Sequence, residues 1–190
     1  MTLKIHAAVF ATVIAAATMS PSRAQAFSRP NNETQGWLWR ESSRTRPGQP
    51  DPYSSAAASA QVPLDLLVAI AGAESGYHPW ALNVAGRQKY CRSRAEAERL
   101  LASNDNVDIG LMQINWSFWG RRLGLSKNEL LDPRVNLLCG ARILRKCLDG
   151  GGGDIWRRIS DYHAGTTSTR NRYNQRVYSS YIQYLHGATR

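Results

Sequence analysis

Residues 63–75, Pro63-Leu64-Asp65-Leu66-Leu67-Val68-Ala69-Ile70-Ala71-Gly72-Ala73-Glu74-Ser75, are apolar on nearly every side, with Asp65 and Glu74 the exceptions. A helix apolar all round belongs inside a protein, so this stretch predicts a central buried helix. Pro63 suits its first turn, while Gly76 and Pro79 stop it. Outward from it the signals stay helical. Ser93 with Glu96 forms a capping box before Ala95–Leu101, and Ser126 with Glu129 forms another before Leu130 and Leu131. Asp132-Pro133 opens a longer helix in which Leu137, Ala141, Leu144 and Leu148 recur at core spacing up to Gly150. Asp154 caps a helix over Ile155–Ala164, and Tyr173, Val177, Tyr181 and Leu185 stripe a last one. Asp108–Asn115 is too short and glycine-interrupted for a helix. The fold class predicted is mainly α, a single helical domain with a small irregular or β segment near residues 105–115.

The chain has 190 residues, 24 Lys and Arg against 14 Asp and Glu, and a net charge of +10. That length suits one domain with a tail, and 43% hydrophobic residues exclude a disordered chain. The three cysteines, Cys91, Cys139 and Cys147, are too few for a disulfide framework or paired CxxC zinc sites. Cys139 and Cys147 share a predicted helix at a separation of about 12 Å, beyond disulfide reach, which leaves Cys91 as the available partner for one of them.

Lys4 and His6 precede an apolar run of 13 residues from Ala7 to Met19, followed by Pro21 and the small-x-small triplet Ala24-Gln25-Ala26. This is the pattern of a secretory signal peptide over residues 1–26, with cleavage after Ala26 and export of the rest. Loss of Lys4 and Arg23 with it lowers the charge by two, from +10 to +8. An exported basic protein suits an anionic polymer rather than intracellular nucleic acid, and no later apolar run is long enough to make it an integral membrane protein. Residues 27–52, polar and proline-rich, are expected to form a flexible leader, with the domain proper at 53–190.

Glu74 is the informative side chain. Its helix is otherwise built from Leu, Val, Ile, Ala and Gly, and it sits at the negative end of the helix dipole. Both features disfavour a charged carboxyl group and lift its pKa above the ordinary value of about 4.3. A Glu that keeps its proton near neutral pH is a general acid, able to protonate a glycosidic oxygen.

Four segments then resemble the soluble-type (SLT domain) lytic transglycosylases, in that family's order. Ala73-Glu74-Ser75-Gly76 with Pro79, Ala81 and Asn83 is similar to the catalytic Glu-Ser motif and its follow-on. Gly110-Leu111-Met112-Gln113 matches the Gly-Leu-Met-Gln motif, and Asp132-Pro133 with Asn136 and Gly140-Ala141 resembles the helix packed behind the cleft. Tyr162-His163-Ala164-Gly165 stands where the family has Tyr-Asn-x-Gly, with His163 departing from that pattern.

The resemblance implies a lysozyme-like α+β fold and cleavage of the β-1,4 bond between N-acetylmuramic acid and N-acetylglucosamine in peptidoglycan glycan strands. Glu74 would be the single acid and base, giving its proton to the leaving oxygen and then activating the muramic 6-hydroxyl to close a 1,6-anhydro ring. The resemblance also implies substrate-binding roles for Ser75, Gly110, Leu111, Met112 and Gln113, and for Tyr162 a hydroxyl that helps hold the catalytic carboxyl. It implies no cofactor and no metal; His78 and His163 have no ligand companions at useful spacing. The small size is similar to that of transglycosylases accompanying secretion, conjugation or pilus machines, which implies a periplasmic location and components of such an envelope-spanning machine as partners.

Asp108 is a rival second carboxylate, with a turn cap as its structural alternative; opposite Glu74 with room for water it would make a hydrolytic muramidase on the same fold. Trp116, Phe118 and Trp119 suit sugar stacking or a core. A non-catalytic peptidoglycan-binding protein is the reading from another class, and it predicts that Glu74→Gln leaves function intact.

Overall fold

The computed structural model describes residues 51–150, 152–163 and 166–188. The expected signal peptide, residues 27–50 of the leader, and Ala164 and Gly165 of the fourth motif lie outside the described residues. Asp51 and Pro52, placed in the leader from sequence, are the cap and first residue of a helix, α1 (Pro52–Ala60), with the Asp51 carboxylate accepting from the Ser54 N–H at 2.7 Å. No apolar period marks this helix in the sequence, although its Ala-rich run favours one.

The decisive stretch forms α2 (Leu64–Ser75), in which Leu67, Val68, Ala69, Ile70 and Ala71 are fully buried. It ends at Gly76, whose φ of 61° is the left-handed cap expected of glycine. A β-hairpin follows, β1 (Ala81–Val84) and β2 (Arg87–Tyr90), turning on Ala85 and Gly86, both at positive φ. After α3 (Arg94–Ala102) come β3 (Val107–Ile109) and β4 (Ile114–Asn115). The four strands form one antiparallel sheet in the order β2-β1-β3-β4, with Asn83 opposite Asp108 and Asp108 opposite Asn115. The β segment is therefore larger than expected: it takes in residues 81–90 as well as part of 105–115. All four residues of β2 are exposed, so no apolar alternation marks that strand.

A π-helical turn (Trp116–Gly120) and a 3₁₀ turn (Glu129–Leu131) lead to α4 (Pro133–Asp149), α5 (Ile155–His163) and α6 (Thr167–Ala188). Of the two expected capping boxes, Ser126 and Glu129 bond reciprocally at 2.7 and 3.2 Å ahead of the 3₁₀ turn, whereas the other is half formed: Ser93 accepts from the Glu96 N–H at 3.2 Å, but the Glu96 carboxylate accepts from the Arg92 N–H at 2.8 Å. α2 packs along α6 and against α4, and α1 lies along α4. Gly72 permits the α2–α6 approach: a Cβ there would lie 2.0 Å from Ser180 Oγ.

Cys91, Cys139 and Cys147 are all free thiols, so the pairing left open to Cys91 does not form. Burial pushes the Cys139 and Cys147 thiols up to about 11, and they behave as small apolar groups. Among the described residues no single helix is long and apolar enough to cross a membrane. The architecture is mostly helical with a small antiparallel sheet, the α+β lysozyme-like arrangement expected.

Candidate active site

The end of α2, the β3–β4 turn, the Trp116–Gly120 turn, α5 and α6 enclose a cleft of about 560 Å³, lined among others by Glu74, Asp108, Gln113, Phe118, Tyr162 and Arg176. Glu74 enters it from the last turn of α2 and is only partly exposed. Burial pushes its carboxyl up to about 7, and the nearby Asp108 adds to the rise. The Tyr173 hydroxyl and the Arg176 guanidinium oppose it. The buried Tyr173 Oη has no other hydrogen-bond partner among the described residues, so what it offers is a donor toward the Glu74 carboxylate. Near neutral pH the site thus holds a carboxyl able to act in either protonation state.

Residues 110–113 form the neighbouring wall, and their fixed conformation follows from what ties them. Gly110 adopts φ +79°, and a Cβ there would lie 2.4 Å from Asn136 Nδ2, so both backbone and space require glycine. Its N–H donates to the Ala81 carbonyl at 2.8 Å. Asn136, buried on α4, donates to the carbonyls of Ile109 (2.8 Å) and Leu130 (2.9 Å) and accepts the Met112 N–H (2.8 Å). Ser75 Oγ lies 2.8 Å from the Leu111 carbonyl and 3.1 Å from that of Ala71, joining the helix that carries Glu74 to the turn. Tyr162 donates its hydroxyl to the Met112 carbonyl at 3.0 Å.

This arrangement sorts the expected site residues. Glu74, Gln113 and Tyr162 line the cleft. Ser75 is 1% exposed and Leu111 and Met112 are wholly buried, Met112 lying over Gly140, so their side chains do not line it. The roles expected of them in substrate binding are corrected to support: they pack behind the cleft and fix its backbone. Gly110 likewise acts through its backbone and is not among the lining residues. The Tyr162 hydroxyl is spent on Met112, and the hydroxyl that meets Glu74 belongs to Tyr173. Sequence reading placed Tyr173 only in a core stripe, because a helical period cannot separate a core tyrosine from one whose oxygen reaches a site.

Gln113 is more specific than the motif suggested. At φ 44° it turns its amide so that Nε2 donates to the carbonyls of Ala81 (3.1 Å) and Gly110 (2.9 Å). Both donor protons are committed, so what it offers the cleft is the Oε1 acceptor, 3.5 Å from Gln88 Nε2. Asp108 is no turn cap. It lies on β3 with its carboxylate oxygens held by Asn115 Nδ2 (2.8 Å) and Asn83 Nδ2 (3.2 Å), and burial raises its pKa. His163 lines the cleft stacked on Tyr173, ring centroids 4.7 Å apart and nearly parallel. Phe118 and Trp119 also line it, whereas Trp116 is absent from the lining and donates its indole N–H to the Leu125 carbonyl at 3.1 Å. Among the described residues no three His, Cys, Asp or Glu side chains gather into a set that could hold a metal ion.

No solved structure matches the chain. Protein IpgF of Shigella sonnei and Protein IpgF of Shigella flexneri are each 28% identical to it over 144 residues, covering 72% of this chain and 82% of theirs. The sequence profile of the transglycosylase SLT domain matches residues 51–185, from the cap of α1 to near the end of α6, with Glu74, the 110–113 turn and Tyr162 all inside. With more than two thirds of its length matched, including every element that borders the cleft, the chain belongs to the transglycosylase SLT domain family.

Proposed function

We propose that this protein is a lytic transglycosylase that cleaves the β-1,4 bond between N-acetylmuramic acid and N-acetylglucosamine of peptidoglycan without water, leaving 1,6-anhydromuramic ends. The observation that carries this is Glu74: a carboxyl at the cleft, held by burial at about 7, beside the amide acceptor of Gln113. Protonated Glu74 gives its proton to the leaving O4 of N-acetylglucosamine as the C1–O4 bond breaks. The 2-acetamido group of the muramic sugar supports the electron-poor C1. Glu74, now a carboxylate and favoured by Tyr173 and Arg176, takes the proton of the 6-hydroxyl while O6 bonds to C1. The proton count closes, and Glu74 is ready again.

A hydrolytic reading is favoured by one specific observation, the Asp108 carboxylate lining the same cleft. Its two oxygens are already engaged by Asn115 and Asn83, which suits a fixed negative charge better than a group that must swing to activate water. Export through the signal peptide, a periplasmic location, and local opening of the wall for a secretion, conjugation or pilus machine belong to the same proposal. The pattern of residues 1–26 and the basic charge support them.

Digestion of purified sacculi, with the released muropeptides read by mass, tests the proposal. Anhydro ends from the unaltered protein, absent with Glu74→Gln, are expected. Reducing ends would replace it with the hydrolytic reading, and intact sacculi would leave a binding protein.

A further inference from the structure

Arg176 neither gives nor takes a proton in the steps above; its charge only favours the Glu74 carboxylate. It stands on α6 three residues after Tyr173, exposed to solvent, and it is the one Lys or Arg among the described residues that line the cleft. Its guanidinium carbon lies 5.5 Å from the centre of the Tyr173 ring, a stacking contact that limits where the group can go. Among the described residues it makes no ion pair. Asp161, an acidic side chain lining the same cleft, is already taken by Arg170 and by Arg157 at 3.9 Å. Asp108 is held by two amides. With Asp108 and Asp161 held by other groups, and Glu74 neutral while it serves as the acid, a cation facing the cleft is matched to an anion brought by the ligand. A guanidinium presents paired N–H donors that suit a carboxylate.

We infer that Arg176 forms a carboxylate subsite, which takes an acidic group carried by the muramic acid side chain and so selects peptidoglycan over uncharged N-acetylglucosamine polymers. The inference rests on the proposed function for its substrate class. Two groups share this chemistry: the lactyl carboxylate of a bare muramic sugar and the free carboxylates of a peptide stem. Both are absent from a polymer of N-acetylglucosamine alone.

The test uses the full chain carrying Glu74→Gln, so that strands survive, with and without Arg176→Gln or Arg176→Lys. Binding is measured by co-sedimentation on three polymers: sacculi with intact stems, strands stripped of stems by an amidase, and stripped strands whose lactyl carboxylates have been converted to amides. We expect Arg176→Gln to weaken binding to carboxylate-bearing strands by about tenfold, the size of one charge-assisted contact. Arg176→Lys recovers part of that loss, and the amidated strands bind all three proteins alike. A loss on stripped strands assigns the subsite to the lactyl group; a loss confined to intact sacculi assigns it to the stem. Equal binding by Arg176 and Arg176→Gln proteins on both carboxylate-bearing polymers, or an equal loss on amidated strands, overturns the inference. In cleavage assays with Glu74 restored, a rise in KM on carboxylate-bearing strands that is missing on amidated strands reads the subsite, whereas the lost support of the Glu74 carboxylate acts on kcat for every polymer. Failure of the unaltered protein to cut sacculi, with the binding pattern intact, would remove the transglycosylase reading and leave the subsite standing.

Discussion

Residues 110–113 and 116–120 border one cleft and are separated by two residues of chain, yet their side chains meet solvent differently. In the first, polar backbone groups are tied to other elements: Gly110 to Ala81, Leu111 to Ser75, Met112 to both Asn136 and Tyr162. Leu111 and Met112 have no exposed surface. In the second, Phe118 is 49% exposed, its ring covered by the Arg122 guanidinium at 3.7 Å. The tied wall stands beside Glu74, where placement relative to a transferring proton must be held to fractions of an ångström. Under the proposed function, the tied wall would set the chemistry and the open wall would contribute to affinity.

Replacing the acid at the tied wall should have the largest effect. Glu74→Gln is expected to lower cleavage of sacculi by about 10²- to 10⁴-fold, the range that one general acid supplies, while glycan binding persists. Activity that survives at the level of the unaltered protein would remove Glu74 from the chemistry. Next comes the pin behind the wall. Asn136→Ala strands the buried Met112 N–H and the carbonyls of Ile109 and Leu130, and should cost roughly 3–5 kcal/mol of stability in denaturant unfolding. A cost near zero would mean that the turn holds its shape without Asn136.

The two walls also differ in how far they could be read from sequence. α2 was legible because apolar residues on every side leave a helix nowhere to go but inward, and Glu74 stood out as the exception within it. The Gly-Leu-Met-Gln turn was legible as a motif, but not in its division of labour. Whether Met112 faces a sugar or the core depends on α4 lying behind it at Gly140, and nothing local to residues 110–113 encodes that. Asn136 is 24 residues from Met112 and 27 from Ile109, so its three bonds exist only once the fold has formed. Tyr173 escaped for the same reason: its local pattern, a helix stripe, fits an ordinary structural role. Asp108 was singled out from sequence, but the two amides that hold it come from Asn83 and Asn115 on neighbouring strands. The β1–β2 hairpin escaped because its turn is Ala85-Gly86 rather than Asn-Gly and its second strand is wholly exposed.

Burial of Glu74 also makes a prediction about stability against pH. Its folded value of about 7 lies above the ordinary 4.5, so between these the folded state binds more protons than the unfolded one. Stability from this group is therefore present below about 4.5 and is lost as pH rises through about 7. Glu74→Gln, which has no proton to lose, should match the unaltered protein at pH 4 and exceed it at pH 8 by roughly 3 kcal/mol in denaturant unfolding. No gain at pH 8 would show that the carboxyl ionises without cost, and with it the case for Glu74 as an acid near neutrality would fall.

The smallest effect is expected at the open wall, where it bears most directly on the contrast. Phe118 keeps an edge-to-face contact with Trp119, ring centroids 4.9 Å apart, and a surface stack with Arg122. Half its surface is already in water, so truncation removes little burial and opens no cavity. Phe118→Ala should cost about 1 kcal/mol, most of it from the Trp119 contact. Met112→Ala, one wall away, removes a side chain with no exposed surface and should cost about 2–5 kcal/mol through the void beside Gly140. The two unfolding curves, measured side by side, decide whether the walls differ in kind. Equal losses would make Phe118 part of the core that fixes the site, and the separation of chemistry from grip would have to be redrawn around it.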